Sequence, residues 1–176
     1  LSADLRAAGT IVLGYVATTY TAKATADVQA EIDKFFNWYN VSGIFFDEAS
    51  TACTAVPYYQ QLTGYTKSKV PAGTTPAPTV VLNWGTDSAE AECFLTAASN
   101  TPDIVVNFES SYASYLSWSG PAPWVANYPA RRFWQLVYDV PPTPEAFYKA
   151  LTLSKARRAG WVYVTDDSIN PDGNPW

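Results

Sequence analysis

The feature that most narrows what this chain can fold into is a rhythm. Six short runs rich in β-branched and aromatic residues recur at Thr10 to Val16, Gly43 to Phe46, Thr79 to Asn83, Ile104 to Phe108, Phe133 to Tyr138 and Trp161 to Thr165. Their starts lie roughly 25 to 35 residues apart, the length of a strand-helix repeat. The runs are apolar on consecutive positions instead of alternating, as expected of strands covered on both faces, so a parallel sheet is predicted. Between the first two runs, Val28, Ile32, Phe35 and Tyr39 fall at helical spacing, with Thr25 placed as an N-cap. Pro144 followed by Ala146 to Arg158 reads as a second helix with proline in its first turn. Helical patterns are weaker over Ser88 to Ala98 and Tyr112 to Trp118, and Pro71 to Pro78 reads as an extended surface loop.

Strands alternating with helices allow a doubly wound sheet or a barrel, and both place ligand-binding residues at the carboxyl ends of the strands. With 176 residues and 48% hydrophobic content, residues 1–176 suffice for one domain with a sizeable core. A net charge of -5 with 15% charged residues gives none of the basic field that nucleic acid requires, so no nucleic-acid partner is expected. No apolar run reaches the roughly 18 to 20 residues of a membrane-spanning helix. The chain contains no histidine, which removes Ser-His-Asp and Cys-His nucleophiles, histidine zinc sites and imidazole proton transfer together. It also contains no methionine, and a longer protein with sequence upstream of Leu1 is expected.

What remains for chemistry is carboxylates, and the strand ends supply them. Asp47 and Glu48 follow Gly-Ile-Phe-Phe, Asn83 follows Val-Val-Leu, Glu109 follows Val-Val-Asn-Phe, Asp139 follows Leu-Val-Tyr, and Asp166 with Asp167 follow Val-Tyr-Val-Thr. No glycine-rich phosphate fingerprint follows any strand, which argues against a nucleotide site. A carboxylate after a buried strand is costly to desolvate unless paired or placed in a wet cleft, so several in one chain suggest a shared pocket. Hydrolysis of a glycosidic bond needs one protonated carboxyl for the leaving oxygen and one ionised carboxylate as nucleophile or base. Taken singly, Asp139, Asp166 or Asp167 is better explained as a helix cap or loop anchor. Asp47, Glu48 and Glu109 taken together are better explained as catalytic. Consecutive strand residues point to opposite faces, so only one of Asp47 and Glu48 need face a pocket unless the strand has turned outward.

Aromatic residues form 15% of the chain, and Tyr15, Tyr20, Trp84, Tyr112, Tyr115, Trp118 and Trp124 sit close to the expected active-face loops. Rings there either stack on sugars or complete the core and its rim. Candidates for substrate contact are Tyr15, Tyr20, Asn83, Trp84, Tyr112 and Asp166, with Trp84 the foremost platform. Cys53 and Cys93 each lie beyond an apolar run; a disulfide is slightly favoured over two packed thiols. Asn40-Val41-Ser42 is an N-glycosylation acceptor pattern. Both features lean toward an oxidising, secreted or cell-surface setting.

Leu-Gly-Tyr-Val-Ala-Thr-Thr-Tyr (13 to 20), Gly-Ile-Phe-Phe-Asp-Glu (43 to 48), Val-Leu-Asn-Trp-Gly-Thr (81 to 86), Val-Val-Asn-Phe-Glu-Ser-Ser-Tyr (105 to 112) and Tyr-Val-Thr-Asp-Asp (163 to 167), with Asn174-Pro175 near the end, together resemble the spherulin-4, or spherulation-specific, family. The resemblance spans essentially the whole chain. It implies a (β/α)₈ TIM-barrel fold, here truncated to about six strand-helix units with the N-terminal strands missing, and open edges that favour self-association. It also implies a glycoside hydrolase, with fungal relatives cutting a galactosamine-containing exopolysaccharide at α-1,4 linkages and the acidic trio falling on Asp47, Glu48 and Glu109. Where relatives have Asn-Pro-Gly, this chain has Asn83-Trp84-Gly85, which alters the pocket wall. The expected partner is a polysaccharide, whose cationic, partly deacetylated form suits an acidic protein; no cofactor and no metal are called for. The competing reading is a non-catalytic carbohydrate-binding or cell-wall protein of encystment or sporulation on the same fold. A Mg²⁺ or Ca²⁺ site is a third reading, without any ordered ligand spacing to support it.

Overall fold

The strand-helix rhythm is realised in the computed structural model, which describes residues 1–71, 77–98, 100–169 and 175. The chain divides into two compact units, Leu1–Trp84 with Glu90–Ile104, and Gly85–Ala89 with Val105–Trp176. The six strands are shared between them, and within each unit neighbouring strands are parallel.

In the first unit, β1 (Leu13–Ala17), β2 (Gly43–Asp47) and β3 (Thr79–Asn83) lie in that order, with Val16 opposite Phe46 and Ile44 opposite Val80. Ile44, Phe46, Val80, Val81 and Leu82 are fully buried, which is why β2 and β3 read as continuous apolar runs; β1 departs from the expectation, burying Val16 and leaving Tyr15 exposed. Strand β2 runs so close to β3 that a methyl group on Gly43 would collide with the Thr79 carbonyl. The helices of this unit are α1 (Ser2–Ala7), α2 (Thr25–Lys34), α3 (Val56–Lys67) and the short α4 (Cys93–Thr96). Helix α2 packs on β1 and α3, and α3 packs on β2 and β3. Ile32 and Leu62 are fully buried there, a placement worth about 1.5–3 kcal/mol for each side chain. Cys53 and Cys93 form a disulfide that ties the start of α3 to α4.

Several local expectations need correction. Thr25 is the first residue of α2 and not its cap; Ala24 holds the cap position, its carbonyl accepting from the amides of Asp27 and Val28 at 3.0 and 3.2 Å. The apolar stripe is buried at Val28 and Ile32 but ends there, because Phe35–Tyr39 is a π-helical turn that breaks the 3.6-residue period and leaves Tyr39 more than half exposed. Helix α3 had no clear sequence signal because its buried face, Tyr59, Leu62, Thr63 and Thr66, is half threonine. Thr66 makes that tolerable by donating its hydroxyl to the Leu62 carbonyl at 2.9 Å. The helical pattern over Ser88 to Ala98 shortens to α4. Within the expected Pro71 to Pro78 loop, residues 72–76 lie outside the described residues, as does Asn174.

Beside α2 and α3, the Asp33 carboxylate is ion-paired with Lys69 and accepts the Tyr65 hydroxyl at 3.0 Å on each oxygen. The hydrogen bond from Lys69 holds the Asp33 carboxyl below its ordinary value of 3.8, with Tyr65 adding to it and partial desolvation opposing. Its stabilising effect is therefore complete above that ordinary value and fades as the pH falls through the lower folded-state value. The Asp33 side chain is 41% exposed, so solvent screening keeps the pair's contribution below about 1 kcal/mol. Urea unfolding of Asp33→Asn is expected to show a small deficit at pH 7 that shrinks at pH 3; a deficit growing on acidification would contradict the assignment.

The second unit takes β4 (Ile104–Ser111) from Val105 onward, and β5 (Phe133–Tyr138) and β6 (Trp161–Val164) follow in order. The register shifts between Val106 and Phe108, where buried Asn107 forms an irregularity, and then pairs Glu109 with Leu136. Strand β4 runs to Ser111, so Glu109 lies inside the strand and not after it. Ser111 caps α5 (Tyr112–Ser117) by accepting from the Ser114 amide, and Thr143 caps α6 (Pro144–Ala156) by accepting from the Ala146 amide, each at 3.3 Å. The core gathers Phe108, Tyr115, Val137, Val140, Ala146 and Ala150. Among the described residues no helix is long and apolar enough to cross a membrane.

Candidate functional site

At the end of β2, alternation puts Phe45 and Asp47 on one face while Ile44 and Phe46 enter the apolar core. Tyr15 on β1 stands opposite Phe45, its ring stacked at 6.3 Å and 17°, and its hydroxyl reaches diagonally to donate to Asp47 Oδ2 at 2.5 Å. From the other side Asn83 Nδ2, at the end of β3, donates to Asp47 Oδ1 at 2.7 Å. Both carboxylate oxygens thus accept from neutral donors fixed on adjacent strands. Tyr15 and Asn83 are both expected from the sequence as substrate contacts; the structure brings both onto Asp47.

Glu48 answers the question of alternation. Its φ is 51°, a left-handed conformation in which the chain has left the strand, so the two acids need not face opposite sides. A non-glycine residue in this region carries strain of about 1 kcal/mol. Glu48→Gly is accordingly expected to raise the melting temperature by about 2 °C while removing any activity that uses this carboxyl. A fall in melting temperature would show that the turn is not strained. Thr19, Tyr20 and Thr21 also have positive φ, at 49°, 51° and 79°. Tyr20 is 65% exposed at the tip of this second strained turn.

In the second unit, Glu109 lines a cavity of about 370 Å³ with Gly85, Asp87, Phe108, Ser114 and Trp118. The backbone positions it, since its amide donates to the Gly85 carbonyl at 2.9 Å. Gly85 itself has φ 63°, and a side chain there would come to 3.7 Å from Glu109 Oε2. Trp118 supplies the aromatic wall, packed on Phe108 at 4.7 Å and held by Arg157, which donates to the Trp118 and Tyr115 carbonyls. Asp87 accepts the Ala122 amide, and Trp124 Nε1 donates to the Ser88 carbonyl at 3.0 Å, so the cavity rim is tied down. Burial pushes the Asp87 carboxyl above its ordinary value, against backbone hydrogen bonds from Ala122 and Ser88 that lower it. Sequence reasoning passed over Asp87; a carboxylate just past Asn-Trp-Gly-Thr was the available signal.

Other candidates lie elsewhere. Trp84 is 6% exposed and packs on Phe94 at 5.4 Å, so its ring belongs to the core of the first unit. Tyr112 opens α5 and packs against the core of the second unit. Asp166 is exposed and lines a separate groove with Val140, Pro142, Phe147 and Tyr148. Among the described residues there is no group of three or more His, Cys, Asp or Glu that could hold a metal ion.

Parallel strands alternating with helices and carrying acids and amides at their ends define an α/β protein of the kind expected from the sequence. The chain belongs to spherulation-specific family 4, whose profile matches residues 3–176. It is 34% identical over 168 residues to Spherulin-4 of Physarum polycephalum, covering 92% of this chain and 47% of that protein. The chain thus spans about half the length of this curated relative. In fold it is similar to Aspergillus clavatus Sph3, solved in complex with GalNAc, with a TM-score of 0.71 at 23% identity over 90% of this chain and 65% of that one.

Proposed function

We propose that this chain carries the acid/base machinery of a glycoside hydrolase that cleaves within an amino-sugar exopolysaccharide, of the endo-α-1,4-galactosaminidase or N-acetylgalactosaminidase type. The observation that carries the proposal is Asp47, fixed at a strand end with both oxygens accepting hydrogen bonds, from Tyr15 and Asn83. Such a carboxylate is held in one orientation and suits the ionised role beside a developing oxocarbenium ion. The proton for the leaving oxygen is assigned to Glu48, next to Asp47 in the chain; Glu109, the third acid of the proposal, lines a cavity of the second unit with Trp118 as a stacking face. The amino-sugar class is supported by family membership and by the GalNAc bound to the similarly folded Sph3. The Cys53–Cys93 disulfide supports work in an oxidising, extracellular setting.

The test is release of reducing ends from a galactosamine-rich polysaccharide by the wild type, Glu48→Gln and Glu109→Gln. Turnover in the wild type and its loss in the variant lacking the proton donor are expected. A folded wild type that binds the polymer without cutting it would favour the non-catalytic, cell-wall role.

A further inference from the structure

The main-chain carbonyls of Asp47 and Glu48 converge on one buried hydroxyl. Thr18 is fully buried, and its Oγ1 lies 2.9 Å from the Asp47 carbonyl oxygen, 3.0 Å from that of Glu48 and 2.9 Å from Tyr59 Oη. Carbonyls only accept, so the single Thr18 proton is committed to them and the Tyr59 hydroxyl must donate to Thr18. Tyr59, 1% exposed, in turn accepts the Ser50 amide at 3.0 Å. The result is a directed relay from Ser50 through Tyr59 and Thr18 to the backbone of the two acids.

Main-chain bonds close the frame around it. The Thr18 amide donates to the Asp47 carbonyl at 2.9 Å, the Tyr20 amide to the Glu48 carbonyl at 2.8 Å and the Ala49 amide to the Asn83 carbonyl at 2.9 Å. Inside this frame sit the left-handed residues Thr19, Tyr20, Thr21 and Glu48. Two of them are β-branched threonines, for which this conformation is a genuine outlier. Left-handed non-glycine residues persist only where the surroundings over-determine them, and they cluster at functional sites. The Thr18 and Tyr59 hydroxyls are what the surroundings contribute here.

We infer that Thr18, oriented by Tyr59, is a positioning residue that locks the turn bearing Asp47 and Glu48 in its working geometry. This rests on the reading of Asp47 as a catalytic carboxylate. Both side chains are buried, so loss of either hydroxyl should act on turnover and not on substrate affinity.

The test compares Thr18→Val, Thr18→Ser and Tyr59→Phe by steady-state kinetics and by amide hydrogen exchange at Tyr20 and Ala49. A misplacement of the acids by about 1 Å should cost about 100-fold. Thr18→Val is therefore expected to lower kcat by about that factor with KM within about twofold. Thr18→Ser, which keeps the hydroxyl, should restore most of it. Exchange at Tyr20 and Ala49 should quicken in Thr18→Val and stay slow in Thr18→Ser. Wild-type kcat in Thr18→Val, or no rescue by serine, overturns the inference. If Thr18→Val does not fold, Tyr59→Phe decides, since unchanged turnover and exchange there would equally overturn it. If the wild type hydrolyses no amino-sugar polymer, the functional reading fails by itself. Exchange alone then judges the relay, and unchanged protection in folded Thr18→Val or Tyr59→Phe defeats it.

Discussion

Replacing Asp47 with asparagine is expected to lower kcat/KM on the polysaccharide by about 10³-fold or more while leaving the protein folded. The two halves of that expectation have separate causes. Catalysis loses the negative charge and the second acceptor oxygen, which an amide cannot supply. Folding loses little, because the amide that replaces the carboxylate keeps one oxygen to accept from Asn83 Nδ2, and the Tyr15 hydroxyl rotates to accept from the new NH₂. The Asp47 contacts at 2.5 and 2.7 Å are thereby replaced by neutral ones, with a stability change within about 1 kcal/mol. Kinetics beside a thermal melt check both halves. A variant that retains turnover removes Asp47 from the mechanism, and one that unfolds shows the carboxylate to be structural.

The largest stability effect should come from the disulfide. Cys53 and Cys93 are 40 residues apart, and cross-linking a loop of that size removes about 4 kcal/mol of unfolded-chain entropy. For a chain of this length that corresponds to about 8–16 °C in melting temperature. The double substitution Cys53→Ser with Cys93→Ser, or the wild type in strong reductant, is expected to melt lower by that margin. The bond also ties down the chain at the start of α3, the helix that carries Tyr59 to Thr18. Coincident melting curves with and without reductant would mean that the thiols are not joined in the folded protein.

How far the sequence could be read follows from what each residue depends on. All six strands were legible as short apolar runs, and for β2 and β3 the cause is burial on both faces; the strand ends are where the sequence presents Asp47 and Glu48. The inner strands are buried as that pattern requires, Ile44 and Phe46 among them, but β1 alternates, with Tyr15 exposed, and β6 has no buried residue, so the expectation of cover on both faces is corrected for those two. Helix α3 was not legible, because two of its buried positions are Thr63 and Thr66, whose polarity hides the stripe. The irregularity at Asn107 and the extension of β4 to Ser111 moved Glu109 from a strand end to a strand interior, a shift set by pairing with β5. Trp84 follows a strand as a platform would, yet its ring turns inward onto Phe94, while Trp118, further along the chain, shares the Glu109 cavity. Such differences depend on which way the chain turns after a strand. The left-handed Glu48 and the Thr18–Tyr59 relay are tertiary in the same sense: Thr18 and Tyr59 are 41 residues apart, and nothing local marks them as partners.

The measurement that tests the central claim most directly is digestion of a galactosamine-rich polysaccharide in ¹⁸O-labelled water, with the oligosaccharide products read by mass spectrometry. Carboxylate-driven hydrolysis predicts shortened chains carrying one ¹⁸O at each new reducing end, in the wild type and not in Asp47→Asn. Polymer that stays intact, or fragments released without the label, would contradict it.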